Sequence, residues 1–211
     1  MIPRVRIPYR TLAVAAAAWV VAAVPGSLSF LQYQREGIFS GDAWRALSGH
    51  IVHAGATHLT WDVAGLLAIG FLFEEALGGR YWTAWLVSAV TISVGLLLFD
   101  PDLAAYCGLS GVLNGLWVAG SLAAADRERR RGRVTLAWFY GACLAVLAAK
   151  LAFEGLMGQA IFTNAAALGA DPVPHAHVMG ALGGLLAVFA CSFGPRSSFD
   201  KIGNLPREVG V

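Results

Sequence analysis

Long apolar runs separated by short polar punctuation set the pattern of this chain. The runs cover about residues 11–31, 57–77, 81–99, 106–125, 134–153 and 175–193. Each is close to the ~20 helical residues that span a bilayer's hydrocarbon core. Backbone in lipid must satisfy its own hydrogen bonds, so the pattern predicts six transmembrane helices. Pro25-Gly26 kinks or ends the first run. Gly78-Gly79-Arg80 turns the chain, Asp100-Pro101-Asp102 precedes the fourth run, and arginines crowd residues 127–133. A connection rich in glycine, alanine and proline reaches Pro174, and the tail from Pro195 reads as a short solvated end. With Arg4, Arg6 and Arg10 ahead of it, the first run has the outline of a signal peptide. Its length, its lack of a small-residue cleavage site and the spans that follow favour a first transmembrane helix.

Composition agrees with this. The chain is 57% hydrophobic and 13% charged, against about 25% charged residues in a soluble domain. Its 211 residues suit one all-α membrane domain over residues 1–211. A net charge of +2 gives no sign of a nucleic-acid partner. Cys107, Cys143 and Cys191 have no metal-ligand spacing and read as small packing residues. The basic residues fall mostly on one side: Arg4, Arg6, Arg10, Arg80, the 127–133 arginines, Arg196, Lys201 and Arg207. Arg35, Arg45 and Lys150 fall on the other. The positive-inside rule then puts both termini in the cytoplasm. Ser110, His58 and His177 come to lie just below the outer surface.

Polar groups at that depth need a reason. Ser110 stands in Gly108-Leu109-Ser110-Gly111 at the mouth of the fourth run. It is either a packing serine or a nucleophile. His177 shares a helix face with Gly180 and Gly184, a small-residue stripe that lets another helix approach closely. It reads as a base reaching across that contact, or as a histidine bonded to a carbonyl or interfacial water. Neither span contains Asp or Glu, so the expectation is a Ser-His dyad. Asn114, four residues after Ser110, shares its face. It could steady the imidazole or serve as an interhelical polar pair. His58 and Asp62 share a face at the start of the second run, and His50 and His53 precede them. This group reads as oxyanion support, with zinc as the less favoured reading. Lys150 and Glu154, also four apart, read as a structural ion pair or a substrate contact.

These residues resemble the rhomboid family of intramembrane serine proteases. The matching motifs are Gly108-Leu109-Ser110-Gly111, Ala176-His177 with Gly180 and Gly184, Trp44-Arg45, His53 with His58 and Asp62, and Glu74 with Gly78. Trp44-Arg45 with Ser48-Gly49-His50 and His53 resembles the rhombosortase subgroup, bacterial enzymes that process proteins with a Gly-Gly sorting tail. The resemblance implies a six-helix bundle in the bacterial inner membrane that uses no cofactor or metal. Ser110 would be the nucleophile and His177 the general base and acid. His58 and the Ser110 backbone N–H would bind the oxyanion. Gly111, Gly180 and Gly184 would let helices touch, and Trp44-Arg45 would support an external loop. A transmembrane protein substrate would enter laterally beside the fifth span.

The chain departs from that pattern at Asp62, where the family has Asn, and at Asn114, where rhombosortases have His. A carboxylate cannot donate to an oxyanion, so Asp62 must be protonated, orient His58, or pair outside the centre. A silent rhomboid-like protein that binds membrane helices is therefore the alternative. A transporter is disfavoured, because the polar groups gather near one face and not at the midplane.

Overall fold

The computed structural model describes residues 7–159 and 173–193. Arg4, Arg6, residues 160–172 and the tail from Pro195 lie outside the described residues. The helices are α1 (Tyr9–Ala22), α2 (Ser27–Leu31), α3 (Arg35–Phe39), α4 (Arg45–Ser48), α5 (Ala56–Leu77), α6 (Tyr81–Phe99), α7 (Ser110–Arg130), α8 (Val134–Met157) and α9 (Pro174–Phe193). Two short strands, β1 (Tyr33–Gln34) and β2 (Ala105–Tyr106), pair antiparallel with Tyr33 opposite Tyr106.

The fourth and fifth helices run past their apolar runs, to Arg130 and Met157, and two further differences shape the site. The first run is not one helix: α1 stops at Ala22, and Pro25-Gly26 separates it from the five-residue α2. The fourth helix begins at Ser110 rather than near Tyr106, because Ala105 and Tyr106 are drawn into the strand pair. Gly108 N–H then donates to the Gly49 carbonyl at 3.0 Å. Gly108 has φ +115°, which no helix accepts and which favours glycine. The segment just before Ser110 is thus hung on the connection between α1 and α5.

α7 is the central helix, and α5, α6, α8 and α9 all pack against it. Gly180 and Gly184 of α9 face Gly111 and Gly115 of α7 in that order, so these two helices run parallel. On α6, Ile92 faces Gly111 and Ser88 faces Gly115, so α6 runs the other way. On α5, Asp62 meets Ser110 and Phe73 meets Gly120, so α5 is parallel to α7. Lys150 of α8 meets Asn114, and Tyr140 meets Phe73 (6.0 Å between ring centroids), so α8 is antiparallel to α7. α8 is the most loosely held of these helices. Only Ala137, Leu147 and Glu154 are buried, and Trp138, Phe139, Val146 and Phe153 are exposed.

Polar groups close the ends. Glu74, buried near the end of α5, accepts from the N–H groups of Arg10 (3.0 Å) and Thr11 (2.8 Å). It caps the start of α1, which has no side-chain cap of its own. Arg35 donates to the carbonyls of Leu96, Leu97 and Asp100 at the end of α6. Arg45 is buried and holds Asp42 (2.9 Å) and the carbonyls of Ser29 and Gln32, tying the connecting loop together. At the far end of α7, buried Glu128 is ringed by Arg127, Arg131 and Arg133.

Among the described residues, three segments are long and apolar enough to cross a membrane: Ala56–Phe99, Val134–Met157 and Pro174–Cys191. The first contains both α5 and α6. As one rod its 44 residues would measure about 66 Å, twice a bilayer core of ~30 Å. It reverses at Gly78–Arg80 instead. α1 is shorter, at 14 residues, and α7 ends in charged residues.

A methyl group at Gly180 would run into the Gly111 carbonyl oxygen, whereas one at Gly141, inside α8, would meet nothing within 4 Å. Gly180→Ala is expected to destabilise the fold by about 1–3 kcal/mol. Gly141→Ala should leave stability unchanged or raise it by up to ~1 kcal/mol. Thermal unfolding of both variants in detergent checks the contrast.

Candidate active site

Ser110 is the first residue of α7, and His177 lies in the first turn of α9. The two backbones approach through glycine. A Cβ at Gly184 would collide with the Gly115 carbonyl, just as one at Gly180 would collide with that of Gly111. At this separation Ser110 Oγ stands 3.0 Å from His177 Nε2. That is within reach for proton transfer between a hydroxyl and an imidazole. His177 is buried.

Behind the imidazole stands Glu154, which the sequence pairs with Lys150 as a structural ion pair or a substrate contact. Glu154 Oε2 lies 2.9 Å from His177 Nδ1, and Glu154 is almost fully buried. Lys150 Nζ donates to the same oxygen at 2.7 Å. The serine and histidine therefore do not stand alone as the expected pair, because a carboxylate from α8 joins them. The signal available in the sequence was a membrane-embedded acid at the depth of Ser110 and His177. Its helix face was not readable.

Asn114 donates from Nδ2 to the Ser110 carbonyl at 2.7 Å and accepts from Lys150 at 3.3 Å. Its link to the imidazole runs through Lys150. The polar contacts close into a ring from Ser110 to His177, Glu154, Lys150, Asn114 and back to Ser110.

On the other side of Ser110 lies Asp62. Its Oδ2 accepts from the backbone N–H of Leu109 at 2.7 Å and of Ser110 at 3.2 Å. His53 Nε2 lies 3.1 Å from the same oxygen, and His58 Nε2 lies 3.5 Å from it. The His53 and His58 rings stand edge to face, with centroids 5.0 Å apart. Asp62 thus takes the N–H groups at the start of α7, where a helix leaves donors free and favours negative charge. A Cβ at Gly108 would lie 2.6 Å from His58 Nε2, so glycine also makes room for this histidine. Leu109 is fully buried beneath the loop.

The remaining expected residues stand further out. Trp44 is half exposed and its ring lies 5.9 Å from that of Phe30, while Arg45 is the loop tie described above. His50 is buried against Ser93, with Nε2 3.1 Å from Oγ. Among the described residues no group of three or more His, Cys, Asp or Glu is arranged to hold a metal ion.

The chemistry available is a hydroxyl on an imidazole, a carboxylate on the imidazole's far nitrogen, and two converging N–H donors that Asp62 holds. These are the parts of acyl transfer. Comparison with known proteins points the same way. The chain is 32% identical over 79 residues to Rhomboid protease GluP of Bacillus subtilis (strain 168). That stretch covers 37% of this chain and 15% of the Bacillus protein. A family model described as Rhomboid domain matches residues 40–193, taking in β2 and every helix from α4 to α9. The chain is an integral membrane protein and belongs to the rhomboid family.

Proposed function

We propose that this protein is a six-span intramembrane serine protease that cleaves a peptide bond in or just outside a substrate's transmembrane helix. The observation that carries the reading is the 3.0 Å contact between Ser110 Oγ and His177 Nε2. In the reaction, Nε2 takes the serine proton as Oγ attacks the carbonyl carbon. The imidazolium then gives that proton to the leaving amine, and water releases the acyl group by the reverse sequence. The N–H groups of Leu109 and Ser110 are the natural donors for the oxyanion, with His58 beside them.

Six spans are supported by the alternating directions of α5 to α9 and by α1, whose start is capped at the end of α5. Ser110 and Arg127 lie 17 residues apart on one helix, about 26 Å. With the arginines at the cytoplasmic surface of a bacterial inner membrane, Ser110 lies towards the outer face. The sparse packing of α8 supports lateral access for a substrate helix beside it. In the narrower form, which rests on the resemblance to rhombosortases, cleavage falls near a Gly-Gly pair in the sorting tail of a surface protein.

One observation favours a second reading, a silent protein that binds membrane helices. The Asp62 carboxylate holds both N–H groups that an oxyanion needs. It can only accept hydrogen bonds while ionised, and its charge opposes the developing one. On the protease reading Asp62 must yield its place during each turnover.

Labelling of the detergent-solubilised protein with a fluorophosphonate probe separates the two. Wild type should label, Ser110→Ala should not, and His177→Ala should label roughly 10²–10⁴-fold more slowly. Asp62→Asn can turn an amide N–H towards the oxyanion and should label at least about tenfold faster. A wild type that resists the probe, with no rescue by Asp62→Asn, would put the silent reading ahead.

A further inference from the structure

Two groups compete for Nδ1 of His177, and they make opposite demands. Glu154 Oε2 lies 2.9 Å away and Lys150 Nζ lies 3.4 Å away. A carboxylate only accepts, so it requires the proton on Nδ1. An ammonium only donates, so it requires a bare Nδ1. A neutral imidazole has one ring proton to place. If Lys150 prevailed, that proton would sit on Nε2, facing Ser110, and the ring could not take the serine proton. If Glu154 prevails, Nε2 is bare and can act as the base.

The geometry favours Glu154. It is the nearer group, at 2.9 Å against 3.4 Å. Lys150 also has other acceptors for its protons: it donates to Glu154 Oε2 at 2.7 Å and to Asn114 Oδ1 at 3.3 Å. The side chains of Glu154, His177 and Lys150 are 1%, 8% and 12% exposed, so water does little to relax the choice. The three lie on two helices, with Lys150 and Glu154 one turn apart on α8 and His177 across from them on α9.

We propose that Glu154 is a positioning residue that selects the reactive tautomer of His177, with Lys150 as its counter-ion. Without the carboxylate, the lysine selects the opposite tautomer and silences the site. Lys150 therefore helps only while Glu154 is present. This rests on the serine-protease reading above. It adds a third member and a conditional inhibitor to the pair of side chains that reading requires.

The test has one arm that does not depend on activity. Protein carrying ¹⁵N in its histidine rings is examined by ¹⁵N–¹H NMR in detergent, at a pH where His177 is neutral. The His177 signals are assigned by their loss in His177→Gln. Wild type should show the proton on Nδ1, and a proton on Nε2 would overturn the proposal without any variant. Glu154→Leu, which removes the acceptor, should move the proton to Nε2 and slow fluorophosphonate labelling roughly 10²–10⁴-fold. Lys150→Met alone should keep the proton on Nδ1 and slow labelling less than Glu154→Leu does, since Glu154 loses its counter-ion but still sets the ring. The double variant Glu154→Leu/Lys150→Met should label at least about tenfold faster than Glu154→Leu, because the competing donor is gone. A double variant no faster than Glu154→Leu would mean that the pair only supports the fold, and would overturn the proposal. Wild type with the proton on Nδ1 but no labelling, and no rescue by Asp62→Asn, would leave the tautomer assignment standing and remove the protease reading.

Discussion

The structure depends on the contact between the backbones of α7 and α9. Lipid tails are as apolar as leucine, so burying apolar surface does not drive these helices together; close packing does. Gly111 and Gly115 face Gly180 and Gly184 at a distance that admits no side chain between them. Ser110 sits one residue before this seam on α7, and His177 three residues before it on α9. Their 3.0 Å separation follows from how close the glycines let the two axes come. α6 completes the seam from the side, with Ser88 filling the space beside Gly115 and Gly183.

On this apolar frame the polar groups form two separate assemblies that meet at Ser110. One is the ring through His177, Glu154, Lys150 and Asn114, which joins α7, α8 and α9. The other is the cluster of His53, His58 and Asp62, which joins α5 to the start of α7. Each gathers groups that would be costly in lipid, and in the second His53 and His58 keep a buried Nδ1 without a hydrogen-bond partner among the described residues. On the proposed protease reading they act on different parts of one reaction. The ring governs the proton on the imidazole, and the cluster governs the charge that can be accepted beside Ser110.

The sequence made some of this legible and left the rest hidden, for physical reasons. Helix spacing put Gly180, Gly184 and His177 on one face, and the glycine stripe pointed to a close neighbour. Those relations lie within a single helix, so periodicity reveals them. The relation of Glu154 to His177 depends on the rotation of α8 about its own axis against α9. An apolar helix with few buried residues carries no pattern that fixes this. The partner of Asp62 was likewise hidden, because backbone N–H groups have no letter in a sequence. The start of α7 was set by pairing between Tyr33–Gln34 and Ala105–Tyr106, segments about 70 residues apart whose two-residue strands are too short to alternate. The break in the first apolar run was signalled by Pro25-Gly26, and the structure moved it only slightly.

The looseness of α8 has a mechanical consequence. This helix carries the carboxylate that orients the histidine, yet Ala137 and Leu147 are its only buried apolar side chains. Trp138, Phe139, Val146 and Phe153 present its remaining surface to acyl chains. The lateral pressure of those chains therefore helps hold the acid against the base. A bilayer of different thickness or fluidity alters that pressure without altering one protein atom, so the surrounding lipid becomes a structural part of the proposed catalytic unit.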